Sequence, residues 1–112
     1  MNMLYLIIHL QREEYEEDLL LAMASAGVFD AVVSDCRSAR ETMAHALPIF
    51  AGFSADLSGG GTYAKLIAAS ISEEKVVDDL LEELKEADID FEEEGVGSMF
   101  VLPVSKYAGP AR

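Results

Sequence analysis

The sequence predicts an α+β fold: one antiparallel sheet of four strands with two helices on a single face. Three observations predict it. Two apolar, strand-like stretches each run directly into a stretch of helical periodicity, within residues 3–26 and 63–87. Each helical stretch is followed by another strand-like run, at 29–34 and at 97–104. The two β-α-β units are separated by a long connection, residues 36–62, in which neither periodicity is sustained. That order is the ferredoxin-like βαββαβ sandwich, a split βαβ pattern with a long loop between strands two and three.

The elements follow in order. Residues 3–10 form a short apolar run rich in strand formers, which predicts a central strand covered on both faces. From Arg12 the period changes: Tyr15, Leu19, Ala22, Met23 and Ala26 recur at helical spacing. Glu13, Glu14, Glu16, Glu17 and Asp18 crowd the first two turns, where carboxylates complement the positive end of the helix dipole. Gly27 is placed to terminate that helix, and Phe29 to Ser34 reads as strand two. Tyr63 to Ile71 is the third strand, with Ser72 as the expected N-cap and Glu73 and Glu74 behind it. Val76, Val77, Leu80, Leu81, Leu84 and Ala87 then make an apolar stripe, opposite Asp78, Asp79, Glu82, Glu83 and Glu86. Gly97 to Val104 is the last strand, and Pro103 near its end is tolerable because a donor is dispensable there.

Size and charge bound the function. A chain of 112 residues suits one domain spanning 1–112, and 51% apolar residues suffice for a core. No apolar run approaches the roughly 18 residues of a membrane-spanning helix, and the first strand is too short to read as an export signal. Cys36 is the lone cysteine, so neither an internal disulfide nor a multi-cysteine metal site can form, and the expected location is the cytoplasm. The formal net charge is −13, and the eight basic residues are scattered, which excludes nucleic acid and anionic membrane surfaces as partners.

Few residues suggest chemistry. His9 lies in an apolar strand and His45 in the long connection; metal sites normally need three or four convergent ligands, so each reads as an ordinary histidine. Asp88, Asp90, Glu92, Glu93 and Glu94 lack the glycine of an EF-hand loop, with Glu93 in its place, and read as a solvated acidic turn. Cys36 sits between Asp35 and Arg37, and no partner for nucleophilic catalysis can be named beside it. The run 58–62 has three glycines but no lysine, so it reads as a hinge and not a phosphate loop. Gly95 and Gly97 could bring backbone N–H groups to an anion, or simply turn the chain into the last strand. Leu47, Pro48, Ile49, Phe50 and Phe53 place large apolar groups inside a loop. Either they pack onto the domain or a neighbouring subunit, or they form a partner-binding patch.

The β-α-β order, the long loop, and the ending from Gly95 to Val104 together resemble the P-II signalling proteins. The ending is similar to that family's Gly-rich B-loop and final strand, and residues 36–62 stand where the family has its target-binding T-loop. The run from Ser34 to Arg40, followed by Leu47 to Phe50, resembles a divergent branch of the family. The resemblance implies a homotrimer with effector sites in the clefts between subunits. In the family these hold ATP or ADP, with 2-oxoglutarate joining through a metal. It also implies a non-enzymatic signalling role through a target protein such as a transporter or enzyme.

The chain departs from the family at the nucleotide. Glu92, Glu93 and Glu94 approach the B-loop, and only Lys106 and Arg112 follow the last strand, so ATP binding is disfavoured and no cofactor is expected. No tyrosine lies inside 36–62 to serve as a modification site. The ligand-binding candidates are Arg37, Arg40 and Lys65 around the loop base, with Gly95, Gly97 and Ser98 at the B-loop. The partner-binding candidates are Leu47, Pro48, Ile49, Phe50 and Phe53. A small metal-binding protein or enzyme on the same scaffold is the alternative, because a fold does not fix a function.

Overall fold

The computed structural model describes residues 3–37 and 63–111, with residues 39 and 43 between them. Strand β1 spans Leu4–Leu10 and leads through a 3-10 turn, Glu13–Tyr15, into helix α1, Glu16–Ser25. Strands β2 (Val32–Arg37) and β3 (Tyr63–Ile71) follow, then helix α2 (Glu74–Glu86) and strand β4 (Gly97–Pro103). The sheet order is β2-β3-β1-β4 and every neighbouring pair is antiparallel. This is the ferredoxin-like arrangement expected from the pattern of elements.

Alternation decides what is buried. Leu6, Ile8 and Leu10 of β1 and Ile67, Ala69 and Ile71 of β3 point to one face, where they join Leu19, Ala22 and Met23 of α1 and Val77, Leu80 and Leu84 of α2 in one cluster. Both helices therefore cover the same face. Leu81, expected in the apolar stripe, is 45% exposed, because the stripe that faces the sheet is the narrower Val77–Leu80–Leu84 row.

Three local expectations are corrected. β1 is central, but the helices cover only one of its faces, and Tyr5, Ile7 and His9 point to the other. Strand two begins at Val32, three residues later than Phe29. Gly27 turns the chain at φ +94°, Val28 folds back so that its N–H donates to the Met23 carbonyl, and Phe29 is left 82% exposed. The N-cap of α2 is Glu73 and not Ser72, and no side chain caps the helix. Residues 38, 40–42 and 44–62 lie outside the described residues, and with them Arg40, His45 and the apolar candidates Leu47, Pro48, Ile49, Phe50 and Phe53.

Candidate functional site

One end of the sheet gathers the remaining candidates. Asp35 of β2 pairs with Lys65 of β3, Lys65 with Leu10 of β1, and Leu10 with Gly97 of β4, so these four residues form one row across the strands. Arg37 lies two residues beyond the row on β2. Arg37 and Gly97 sit on opposite edges, about 16 Å apart for three strand intervals across and two residues along the strand. A single chain thus carries two separated halves of the expected ligand set.

The β2 half is centred on Lys65, whose side chain is only 14% exposed. Its ammonium hydrogen-bonds the Asp35 carboxylate, lies 3.3 Å from Glu16 Oε1 and 3.9 Å from Glu13 Oε1. The carboxylates come from β2, the 3-10 turn and α1, so this lysine ties the strand to the start of the helix. Its charge is already met by three anions. Glu13, Asp35, Cys36 and Arg37 line a depression of about 290 Å³ beside it.

The β4 half is built by two glycines with different duties. A Cβ on Gly97 would lie 2.1 Å from the His9 carbonyl oxygen, so the last strand can approach β1 only without a side chain here. The close approach is locked by Gln11 N–H donating to the Val96 carbonyl at 2.9 Å, with Val96 fully buried. Gly95 adopts φ +87° in the turn, and apart from its chain neighbours one group lies in ordinary contact with its side-chain position. That group is the guanidinium of Arg12, with Nη2 3.8 Å and Nε 4.0 Å from the Cβ position. Ser98 pairs with His9 and faces the opposite side of the sheet from Gly97, so it does not extend this turn.

Arg12 was absent from the residues singled out by sequence, and it corrects the expectation that only glutamates surround the glycine turn. Its guanidinium lies 5.9 Å above the Tyr15 ring, and Nη1 donates to the Tyr15 hydroxyl at 3.3 Å and stands 3.7 Å from Glu93 Oε1. The hydrogen bond to Tyr15 is the main cause holding its pKa above the ordinary arginine value. The one sequence signal was its position, two residues after a strand end and three residues before an aromatic ring.

The acidic turn is structural in the described region. Asp90 Oδ1 accepts from the Glu92 N–H at 2.9 Å, and Asp88 takes the left-handed φ of 59° that ends α2. Among the described residues no group of three His, Cys, Asp or Glu side chains is placed to hold a metal ion. His9 meets Phe100 edge-on, with ring centroids 5.5 Å apart.

The face of the sheet away from the helices is the other feature. Its strand rows are Tyr5 between Ser70 and Leu102, Ile7 between Ala68 and Phe100, and His9 between Leu66 and Ser98, with Val32 and Ser34 continuing onto β2. No strand residue of this face is an aspartate, glutamate, lysine or arginine. Phe100 is 48% and Leu102 45% exposed, while Val32 is 61% exposed. At the end of this face furthest from the glycine turn, Met3, Tyr5, Val32, Ser70 and Tyr107 help line a cavity of about 260 Å³. Among the described residues no helix is long and apolar enough to cross a membrane.

The sequence matches no protein family and no curated protein. Solved structures do match. CPII, a PII-like nitrogen regulatory protein from Thiomonas intermedia K12 bound to ADP, AMP and bicarbonate, aligns over 99% of this chain and 98% of its own, at 19% identity and a TM-score of 0.61. Arabidopsis thaliana PII bound to citrate aligns over 93% of this chain and 78% of its own, at 20% identity and a TM-score of 0.59. The ATP complex of Bacillus subtilis GlnK aligns over 93% and 83%, at 18% identity and a TM-score of 0.58. The fold is that of the P-II proteins. In this P-II fold the glycine turn opens β4 and residues 38–62 connect β2 to β3, the two places where the sequence resemblance put a B-loop and a T-loop.

Proposed function

We propose that this chain is a divergent P-II-like signalling protein, non-enzymatic and cytoplasmic, that assembles as a homotrimer and binds a small anionic effector between subunits. The observation that carries the reading is the separation of the ligand residues onto opposite edges of the sheet. A cleft between copies can bring the Arg37 edge of one chain to the glycine turn of the next, which one chain cannot do. The uncharged open face supports assembly, since large exposed apolar patches mark interaction surfaces. The P-II structures that share this fold hold citrate, ATP, or ADP with AMP and bicarbonate, all of them anions. A triphosphate is the least suited to this chain, because the net charge of −13 and Glu92, Glu93 and Glu94 oppose it.

Light scattering combined with a thermal-shift series in citrate, bicarbonate, AMP, ADP and ATP tests the proposal. A trimer whose melting temperature rises with one of the smaller anions supports it, since ligands that bind only the native state stabilise it. A monomer at physiological salt, or sub-micromolar ATP binding, contradicts it.

Partner capture through residues 36–62, as one domain with the rest of the chain, completes the proposal. Both ends of that segment are anchored in adjacent strands, Arg37 opposite Tyr63. Its glycines at 52 and 59–61 supply hinges, and its apolar run from Leu47 to Phe53 has the composition of an interface anchor. Replacing residues 43–60 by a tight turn is expected to leave a folded trimer that no longer retains a target protein. A sharp fall in melting temperature, or dissociation, would show instead that the apolar run is core.

A further inference from the structure

The segment that leaves β1 has neighbours on both sides. β1 lies between β3 and β4, so residues 11–16 emerge beside the start of β3 and beside the turn that opens β4. They bond to both. Towards β4, Gln11 N–H donates to the Val96 carbonyl at 2.9 Å, and Arg12 Nη1 stands 3.7 Å from Glu93 Oε1. Towards β3, Glu16 and Glu13 lie 3.3 and 3.9 Å from the Lys65 ammonium, which also holds Asp35 of β2. Asp35 and Lys65 face each other two residues from Arg37 and Tyr63, the facing pair that bounds the long connection. We infer that residues 11–16 are a relay, coupling the glycine turn to the stem of the 36–62 connection within one chain. The inference goes beyond the reading above and needs neither a bound effector nor assembly.

Stiffness is what lets this segment pass on a displacement. Tyr15 N–H donates to the Arg12 carbonyl at 3.1 Å and closes the 3-10 turn. Arg12 Nη1 donates to the Tyr15 hydroxyl at 3.3 Å, so the two ends of the turn are tied by backbone and side chain alike. Tyr15 also packs against the core cluster, which gives the turn a fixed pivot. The stem end is the stronger grip. Lys65 is 14% exposed and faces carboxylates from β2, the 3-10 turn and α1. Removing its charge leaves those three like charges opposed, and their repulsion must move Glu13 and Glu16 away from Asp35. The turn that carries both glutamates then shifts against the glycine turn. At the far end the pair with Glu93 is half exposed, so the coupling is modest in size.

Amide hydrogen exchange in the full-length protein, at fixed pH and ionic strength, tests the relay. The reporter is the Val96 amide, which donates to the Glu93 carbonyl inside the glycine turn. Lys65→Met should speed its exchange roughly two- to fivefold, the range of a single exposed ion pair, while the Leu80 and Leu84 amides of α2 stay unchanged. Lys75→Met removes the same charge from an exposed pair with Asp79 on α2, and should leave Val96 alone. In an Arg12→Gln background the side-chain tie across the turn is gone, so the Lys65→Met effect at Val96 should fall by at least half. A purely structural Lys65 would not show that dependence on Arg12. Unchanged exchange at Val96, acceleration that extends equally to Leu80 and Leu84, an equal effect of Lys75→Met, or an effect undiminished by Arg12→Gln overturns the inference. Should Lys65→Met fail to fold, Glu16→Gln, which detaches the start of α1 from Lys65, is read by the same criteria.

Discussion

Gly95 and Gly97 stand two residues apart and answer to different forces. At Gly97 the obstacle is steric, since any Cβ would meet the His9 carbonyl at 2.1 Å, and φ is +146°. At Gly95 a Cβ would make only ordinary contact with the Arg12 guanidinium, and the backbone angle, φ +87°, is what disfavours other residues. Gly97→Ala is therefore expected to destabilise the fold by roughly 2–4 kcal/mol, and Gly95→Ala by about 1 kcal/mol. Urea unfolding of the two variants measures the contrast, and equal losses would show that the approach of β4 to β1 is not the constraint. The sequence could show that both residues were glycines, but not which one a neighbour required. Arg12 was hidden for the same reason. Its partner Gly95 is distant in the chain, and only the pairing of β1 with β4 brings them together.

The strands and helices show how far periodicity reaches. The apolar stripe of α2 and the alternation of β1 and β3 were readable because burial on one side imposes a repeat of 3.6 or 2. The start of strand two was not, because Phe29 has strand propensity while the turn at Gly27 leaves it outside the sheet. The apolar run of β1 predicts cover on both faces, yet its outer face carries Tyr5, Ile7 and His9 without a cover from this chain's helices. If copies of the chain provide that cover, a charge placed there must block assembly without disturbing the helix-covered core. Phe100→Asp, at a residue 48% exposed on β4, is expected to give a folded monomer with a largely unchanged circular dichroism spectrum. A variant that remains trimeric would remove this face from the interface.

At the scale of the molecule, electrostatics and apolar burial pull in opposite directions. Each chain carries a formal charge of −13, so association brings strongly like-charged bodies together, while the open sheet face it would bury is uncharged. Salt screens the first term and leaves the second nearly untouched, with a Debye length of about 10 Å at 0.1 M. The assembly should accordingly tighten between about 0.05 and 0.3 M sodium chloride, a range over which that screening length shortens roughly twofold. Sedimentation across that range checks it, and an assembly that loosens with salt would point to ion pairs as the main interface contacts.

Much of the architecture was determined by sequence alone. The order of elements, the two helices and the ferredoxin-like class follow from local periodicity, because each element must bury one face whatever lies beyond it. What tertiary structure decided was adjacency. It engaged Lys65 with Glu13, Glu16 and Asp35, separated Arg37 from Gly97 by the width of the sheet, turned Ser98 to the other face, and set Arg12 against Gly95. These relations depend on strand order and register, which are set by the packing of the whole sheet and leave no local signature in the chain.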